Sequence, residues 1–206
     1  QPGLDKKIKN KTKLSLGDMY ILAEDIWEAV LIYEQVNIDE KDSPIGEDAR
    51  YRSAKLSYYN GDFEWAQAQL TVLKGATTEL IANDALKLSI FIIDNLGLDT
   101  TTEAISMFAD AELLLIQNKD NEAISTLNSI LKKFPGHALS DDILYQKATI
   151  AFKNRDYNES ETILKELLEK FGEDILADNA LYNLAQLEEN QLNNKKSNNS
   201  NGCKNQ

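Results

Sequence analysis

Histidine and cysteine occur once each in the 206 residues, as His137 and Cys203, beside only 3 prolines and 9 glycines. That leaves little material for a His-based triad, a Cys-rich zinc scaffold or a disulfide framework, and it excludes a collagen-like chain. Basic residues are the minority: 22 Lys+Arg against 34 Asp+Glu give a formal net charge of -12. Broad phosphate-backbone binding needs clustered Lys and Arg, so nucleic acid is not an expected partner. Long apolar runs are missing too. The longest, LKLSIFII from Leu86 to Ile93, falls far below the roughly 20 residues that span a bilayer, and no direct membrane insertion is expected. The chain opens on Gln1 without a signal-like apolar core. It reads as a mature piece or an excised segment of a longer protein, which leaves the compartment open.

What is present is a chain able to bury a core, with 42% hydrophobic and 27% charged residues. The charge is uneven. Residues 1–13 contribute +4 through Lys6, Lys7, Lys9, Lys11 and Lys13 against Asp5, and residues 193–206 contribute +3, leaving -19 for residues 14–192. Such a body repels nucleic acid and anionic lipid and favours basic partners. The first nine residues read as a basic, solvated lead-in to a helix, and 193–206, NNKKSNNSNGCKNQ, as a disordered Asn/Lys-rich tail carrying Cys203.

Apolar residues recur at helical spacing almost throughout, for example Leu16, Met19, Tyr20 and Ala23, then Ile26, Ala29, Val30 and Tyr33. Period-2 alternation bounded by turn pairs does not occur, so the fold class is all-α with about ten short helices. Self-comparison adds a repeat. Gly17 and Ala54, Ala111 and Ala148, and Ala148 and Ala185 stand 37 residues apart, as do Ala29 and Ala66, and Ala123 and Ser160. Small residues there let helices approach closely. Four helix starts share acid or amide groups in the first turn, at Glu47-Asp48, Asn83-Asp84, Asp141-Asp142 and Asp178-Asn179, which suits the positive end of a helix.

These features resemble the tetratricopeptide repeat family. Its pattern is W-x2-L-G-x2-Y, then A-x3-F, then P. The first unit has Leu16-Gly17-x2-Tyr20 and Ala29-x3-Tyr33, with Lys13 in the Trp place. The second has Ala54, Gly61-Asp62-Phe63 and Ala66-x3-Leu70. The third has Ala111, Ala123-x3-Leu127 and Pro135, and the fourth Ala148, Asp156-Tyr157, Ser160-x3-Leu164 and Gly172. The resemblance covers about residues 10–192. It implies an α-solenoid of antiparallel helix pairs with units at about 10–40, 44–75, 101–135 and 139–172, a half unit at 175–192, and an extra helix at 79–96 that bends or phase-shifts the array. The linker Phe134-Pro135-Gly136-His137-Ala138-Leu139-Ser140-Asp141 is similar to linkers in tetratricopeptide proteins of Gram-negative cell envelopes. A periplasmic or envelope-attached adaptor is implied, with a cytoplasmic location as the alternative.

Chemistry-bearing patterns are sparse. Walker A, His-Glu-x-x-His and Gly-x-Ser-x-Gly do not occur. His137 reads as a surface-loop residue. The pairs Glu47-Asp48, Asp141-Asp142 and Glu188-Glu189 read as capping and solvating groups rather than metal or general-acid sites. Trp27 and Trp65 are expected in core or inter-repeat packing, and Ile90-Phe91-Ile92-Ile93 in the core. Neither a catalytic residue, a metal nor a cofactor is expected, and an enzyme is disfavoured.

In tetratricopeptide arrays the first helix of each unit lines a concave groove, and the resemblance carries that role onto particular residues. The fifth family position falls on Leu14, Tyr51, Phe108, Tyr145 and Tyr182, and the ninth on Asp18, Lys55, Glu112, Thr149 and Gln186. The second gives Asp48, Asp142 and Asn179; the twelfth and thirteenth give Tyr58, Tyr59, Phe152 and Lys153. The groove set is Tyr51, Lys55, Tyr58, Tyr59, Phe108, Glu112, Tyr145, Phe152 and Tyr182, an aromatic ladder with acidic flanks suited to a peptide or helix. The competing reading is that these tyrosines pack within their own units. Only Lys55 and Lys153 stand out as groove cations. The expected function is a non-catalytic scaffold binding protein or peptide segments. The alternative is a structural fragment of a larger repeat protein. The half unit at the C-terminus would expose Leu181, Leu184 and Leu187 unless the tail, a homodimer mate or a further segment covers it.

Overall fold

The structure is a computed structural model that describes residues 2–41, 43–75, 78–96 and 102–202, with side chains from Asp5 to Glu189 within those ranges. The fold is all-α. Among the described residues there are ten helices: α1 Pro2–Leu22, α2 Ile26–Asp39, α3 Pro44–Tyr59, α4 Phe63–Leu73, α5 Glu79–Leu96, α6 Glu103–Ile116, α7 Asp120–Lys133, α8 Ser140–Lys153, α9 Tyr157–Phe171 and α10 Leu176–Gly202. They form two compact units, residues 1–133 and 134–206.

Four helical hairpins, α1–α2, α3–α4, α6–α7 and α8–α9, are joined by the same three-residue turn. Its middle residue is left-handed in every case: Glu24 (φ 65°), Gly61 (φ 75°), Asn118 (φ 60°) and Arg155 (φ 63°). The next residue's N–H reaches back to close the helix. Asp25 donates to the Tyr20 carbonyl, Asp62 to Ser57, Lys119 to Leu114 and Asp156 to Ala151, all at 2.9 Å. This is the Schellman arrangement, which satisfies carbonyls that a helix end leaves unpaired. Only Gly61 reaches the left-handed region without the steric cost a Cβ imposes there.

The small residues explain why the two arms of each hairpin lie close. Gly17, Ala54, Ala111 and Ala148 on the first helices are buried, and so are Ala29, Ala66, Ala123 and Ser160 on the second. A Cβ on Gly17 would run into the Tyr33 ring. In the α8–α9 hairpin the Ser160 hydroxyl donates to the Ala148 carbonyl at 2.9 Å, so two of these positions touch directly. Ala185, the fifth in the series, is exposed.

In the first unit α3 is the hub, packing against α1, α2, α4, α5 and α6, while α5 packs on α4, α3 and α6. Its core joins Tyr33, Leu56, Tyr58, Phe63, Leu70, Ile92 and Ile105. The end of α6 returns to the end of α1: Gln117 donates to the Ile21 carbonyl at 3.3 Å, and Lys119 pairs with Glu24 at 2.7 Å. In the second unit α8, α9 and α10 pack mutually around Leu144, Ala148, Ile163, Leu164, Leu167, Ala180 and Leu187.

Several expectations are corrected. The basic lead-in 1–9 belongs to α1 from Pro2 onward, with Lys6 donating to the Asp39 carbonyl at 2.8 Å. Residues 193–202 of the expected disordered tail continue α10, since adding residues to a formed helix costs far less than starting one; Cys203 lies outside the described residues. Leu187 is buried between α10 and its neighbours rather than exposed, while Leu181 is open. Trp27 and Trp65 stand on outer faces, 79% and 58% exposed, because the adjoining Ala29 and Ala66 are the residues turned inward. In the Ile90–Ile93 stretch Ile92 is buried, but Ile90 and Ile93 are exposed, as befits a helix with one packed face. Ser43 caps α3, Asp62 α4 and Asp156 α9, accepting from Gly46, Trp65 and Glu159 at 3.3, 3.4 and 3.2 Å, whereas Asp48 is committed to an arginine.

Candidate functional site

Within the first unit, α1, α3 and the end of α6 face one another across an open pocket of about 350 Å³. Its lining comprises Asp18, Ile21 and Leu22 from α1, Tyr33 from α2, Asp48, Tyr51, Arg52, Lys55, Leu56 and Tyr59 from α3, and Ile116 from α6. The spacing of 48, 51, 52, 55, 56 and 59 is that of one helical face. One helix therefore supplies six contributors, and its neighbours close the sides.

Arg52 organises the polar edge. Its Nε and Nη2 donate to the two oxygens of Asp48 at 2.8 and 3.2 Å, a bidentate pair within one helix. Its Nη1 pairs with Asp18 of α1. Asp18 also accepts from the Tyr33 hydroxyl at 2.7 Å, and the guanidinium carbon lies 6.0 Å from the Tyr33 ring centroid. Burial alone would lower the guanidinium's pKa; the carboxylates of Asp48 and Asp18 outweigh it and hold the charge more firmly. Three helices are thereby tied at one point, with the Arg52 side chain still 30% exposed.

The aromatic edge is Tyr51 and Tyr59. Burial pushes the Tyr51 phenol up to about 12, and the carboxylates of Asp84 on α5 and Glu112 on α6 add to the shift. Tyr59 is raised well above its ordinary value, by burial first, then by Glu112 and Tyr51. Both rings stay neutral at physiological pH and present apolar faces with a hydroxyl donor. Lys55 Nζ lies 5.6 Å from the Tyr59 ring centroid. The rest of the lining is apolar: Ile21, Leu22, Leu56 and Ile116.

The structure thus gathers part of the expected groove set and separates the rest. Tyr51, Lys55 and Tyr59 line the pocket, and Glu112 acts on both tyrosines. Tyr58 and Phe108 do not; both are core residues, 0% and 2% exposed, linked through Phe91 at ring distances of 6.2 and 5.4 Å. The outward-facing role expected of them is corrected: α5 covers that side, bringing Phe91 between them. Tyr145, Phe152 and Tyr182 belong to the second unit. There the Tyr145 hydroxyl accepts from Asn183 at 3.2 Å, Phe152 packs on Tyr157 at 5.5 Å, and Tyr182 is 64% exposed, accepting from Gln186 at 2.9 Å. Leu14, at the first unit's equivalent place, is buried.

Arg52 is the residue sequence reasoning missed. A signal existed: Asp48 four residues before it is an acid–base pair at i,i+4, and position 52 shares a helix face with 48, 51, 55 and 59. The long-range partner Asp18, 34 residues away, had no local trace. His137 holds its own loop: its Nδ1 accepts from the Leu139 N–H at 3.0 Å and its carbonyl from the Ser140 hydroxyl at 2.6 Å. No helix among the described residues is long and apolar enough to cross a membrane.

No family model, curated protein or solved structure matches this chain.

Proposed function

We propose that this is a non-catalytic scaffold of tetratricopeptide type that binds a peptide or helical segment of a protein partner across the face shared by α1, α3 and α6. The observation carrying the reading is the pocket itself. An apolar lining, two neutral tyrosines and fixed charges are what a side chain of a docked segment needs: buried area, ring contact and oriented polar groups. The repeated turn and the buried small residues support the family reading, because both recur at the spacings of the sequence repeat. The linker around Pro135 is the support for an envelope location.

The test is a pull-down from cell-envelope extract with the whole chain and with Leu22→Ala and Tyr51→Ala variants. Leu22 is 49% exposed, so its truncation is expected to cost little stability, which thermal unfolding checks. Partners retained by the wild type and lost by both variants are expected. Equal recovery of every partner by all three proteins would sink the proposal.

A further inference from the structure

The helix outside the repeat, α5, is packed on one side only. Its Ala85, Ser89, Ile92 and Asn95 are buried, and it rests on α3, α4 and α6. Leu86, Ile90 and Ile93 are exposed. They step by four and then three residues, so they form one apolar stripe along the open face. Two charged side chains flank the stripe, Lys87 and Asp94, both exposed and neither in an ion pair among the described residues. No residue of α5 lines the pocket, so what this face does goes beyond the docking proposal.

We propose that the stripe pairs with the same stripe of a second copy, the two α5 helices running antiparallel about a two-fold axis beside Ile90. The order of the charges argues for that occupant. Lys87 stands three residues before Ile90 and Asp94 four after it. A two-fold axis between positions 90 and 91 therefore sets Lys87 of each copy against Asp94 of the other. The same operation places Ile90 beside Ile90 of the second copy. It brings Ile93 to the level between that copy's Leu86 and Ile90, the interdigitation that packed helices use. A parallel pair would set Lys87 on Lys87 and Asp94 on Asp94. One cation and one anion give the stripe no net pull toward a basic or an acidic segment, whereas a second copy supplies the complement by symmetry. Glu79 and Leu80 lie beyond the overlap, which ends with α5 at Leu96. Three apolar side chains per copy make a contact below the roughly 800 Å² per partner of a standard interface, so the dimer is weak and forms at high concentration.

Sedimentation equilibrium of the whole chain tests this from about 1 μM to 1 mM, the range in which a contact this small associates. Reductant keeps Cys203 from bridging copies. The wild type is expected to pass from monomer to dimer. Ile90→Glu should weaken the dimer about tenfold or more, a difference of roughly 1.4 kcal/mol at the least. Lys87→Glu and Asp94→Lys should each weaken it several-fold. The two mixed should pair as tightly as the wild type, because each contact then joins opposite charges. Lys7→Glu on α1 makes the same change in net charge as Lys87→Glu and should alter nothing. Thermal unfolding of each variant checks that the fold persists. A monomer at every concentration would overturn the proposal, and so would a dimer that survives Ile90→Glu. Equal weakening by Lys7→Glu would mean diffuse repulsion between copies and overturn it as well. Failure of the mixture to recover would overturn the antiparallel pairing.

Discussion

The two units share a hairpin and differ in what surrounds it. The α3–α4 and α8–α9 hairpins have the same turn, the same buried small pair (Ala54 with Ala66, Ala148 with Ser160) and an aromatic near the same place on the first helix, Tyr51 and Tyr145. In the second unit Tyr145 is spoken for by Asn183, and Tyr182 projects into solvent. In the first, α1 and α6 stand on either side of α3, and Tyr51 becomes the edge of a pocket. The lesson is that the repeat supplies a position, and the neighbouring helices decide its use. Arg52 sharpens the contrast, because it ties α1, α2 and α3 through Asp18 and Tyr33.

The largest effect separates two residues that the repeat register makes equivalent. Phe108→Ala removes a ring buried against Phe91 and should cost about 3–5 kcal/mol. Tyr182→Ala should stay within roughly 0.5 kcal/mol. Urea denaturation of both variants checks this; similar costs would break the distinction between the core and open positions. Next comes Arg52→Ala. Loss of charge-assisted hydrogen bonds to two half-exposed carboxylates should cost about 1–2 kcal/mol, and Arg52→Lys should recover little because a point charge cannot reproduce the fork.

The shared turn predicts opposite signs in the two units. Gly61→Ala puts a Cβ in the left-handed region and should cost about 1–2 kcal/mol, whereas Arg155→Gly removes one and should gain roughly 0.5–1 kcal/mol. Thermal unfolding midpoints moving the same way would contradict the common geometry.

The smallest effects concern pH. A hydrogen bond from Asn10, then Ser43 and Lys6, holds Glu40 below its ordinary value of 4.5 despite some burial. Its folded pKa is below the unfolded one, so its stabilisation is full above about 4.5 and fades as pH falls through the folded value. Glu40→Gln should flatten that acid limb. Burial raises Asp141, with Asp174 adding and backbone hydrogen bonds opposing, above 3.8. Its ionised form therefore costs stability above the folded pKa, and the cost fades as pH falls toward the unfolded value. Asp141→Asn should stabilise the protein slightly at neutral pH. Unfolding curves from pH 3 to 7, roughly the carboxylate range and above, read both signs.

Much of this fold was legible from periodicity. Small residues at a fixed interval marked the hairpins, Gly61-Asp62-Phe63 announced one of the four connections, and the extra helix expected at 79–96 is α5. The left-handed conformation of the other three turns was not legible, because Glu24, Asn118 and Arg155 carry it without glycine's signature. The site was half legible. Register put Tyr51, Lys55 and Tyr59 on one helix face, but it treated Tyr58 and Phe108 alike with them. Whether an aromatic is covered depends on α5 and Phe91, which a repeat pattern does not contain. Trp27 and Trp65 misled in another way: closeness to the small-residue positions suggested packing, but both rings are exposed.

The central claim, that the shared face of α1, α3 and α6 takes the partner, is tested most directly by photo-crosslinking. Benzoylphenylalanine is placed at Leu22 on the pocket, at Trp65 on the outer face of α4, or at Tyr182 on α10, each in the otherwise intact chain. The account predicts that a partner protein crosslinks from position 22 and not from 65 or 182. Crosslinking from 65 or 182 with none from 22 would contradict it.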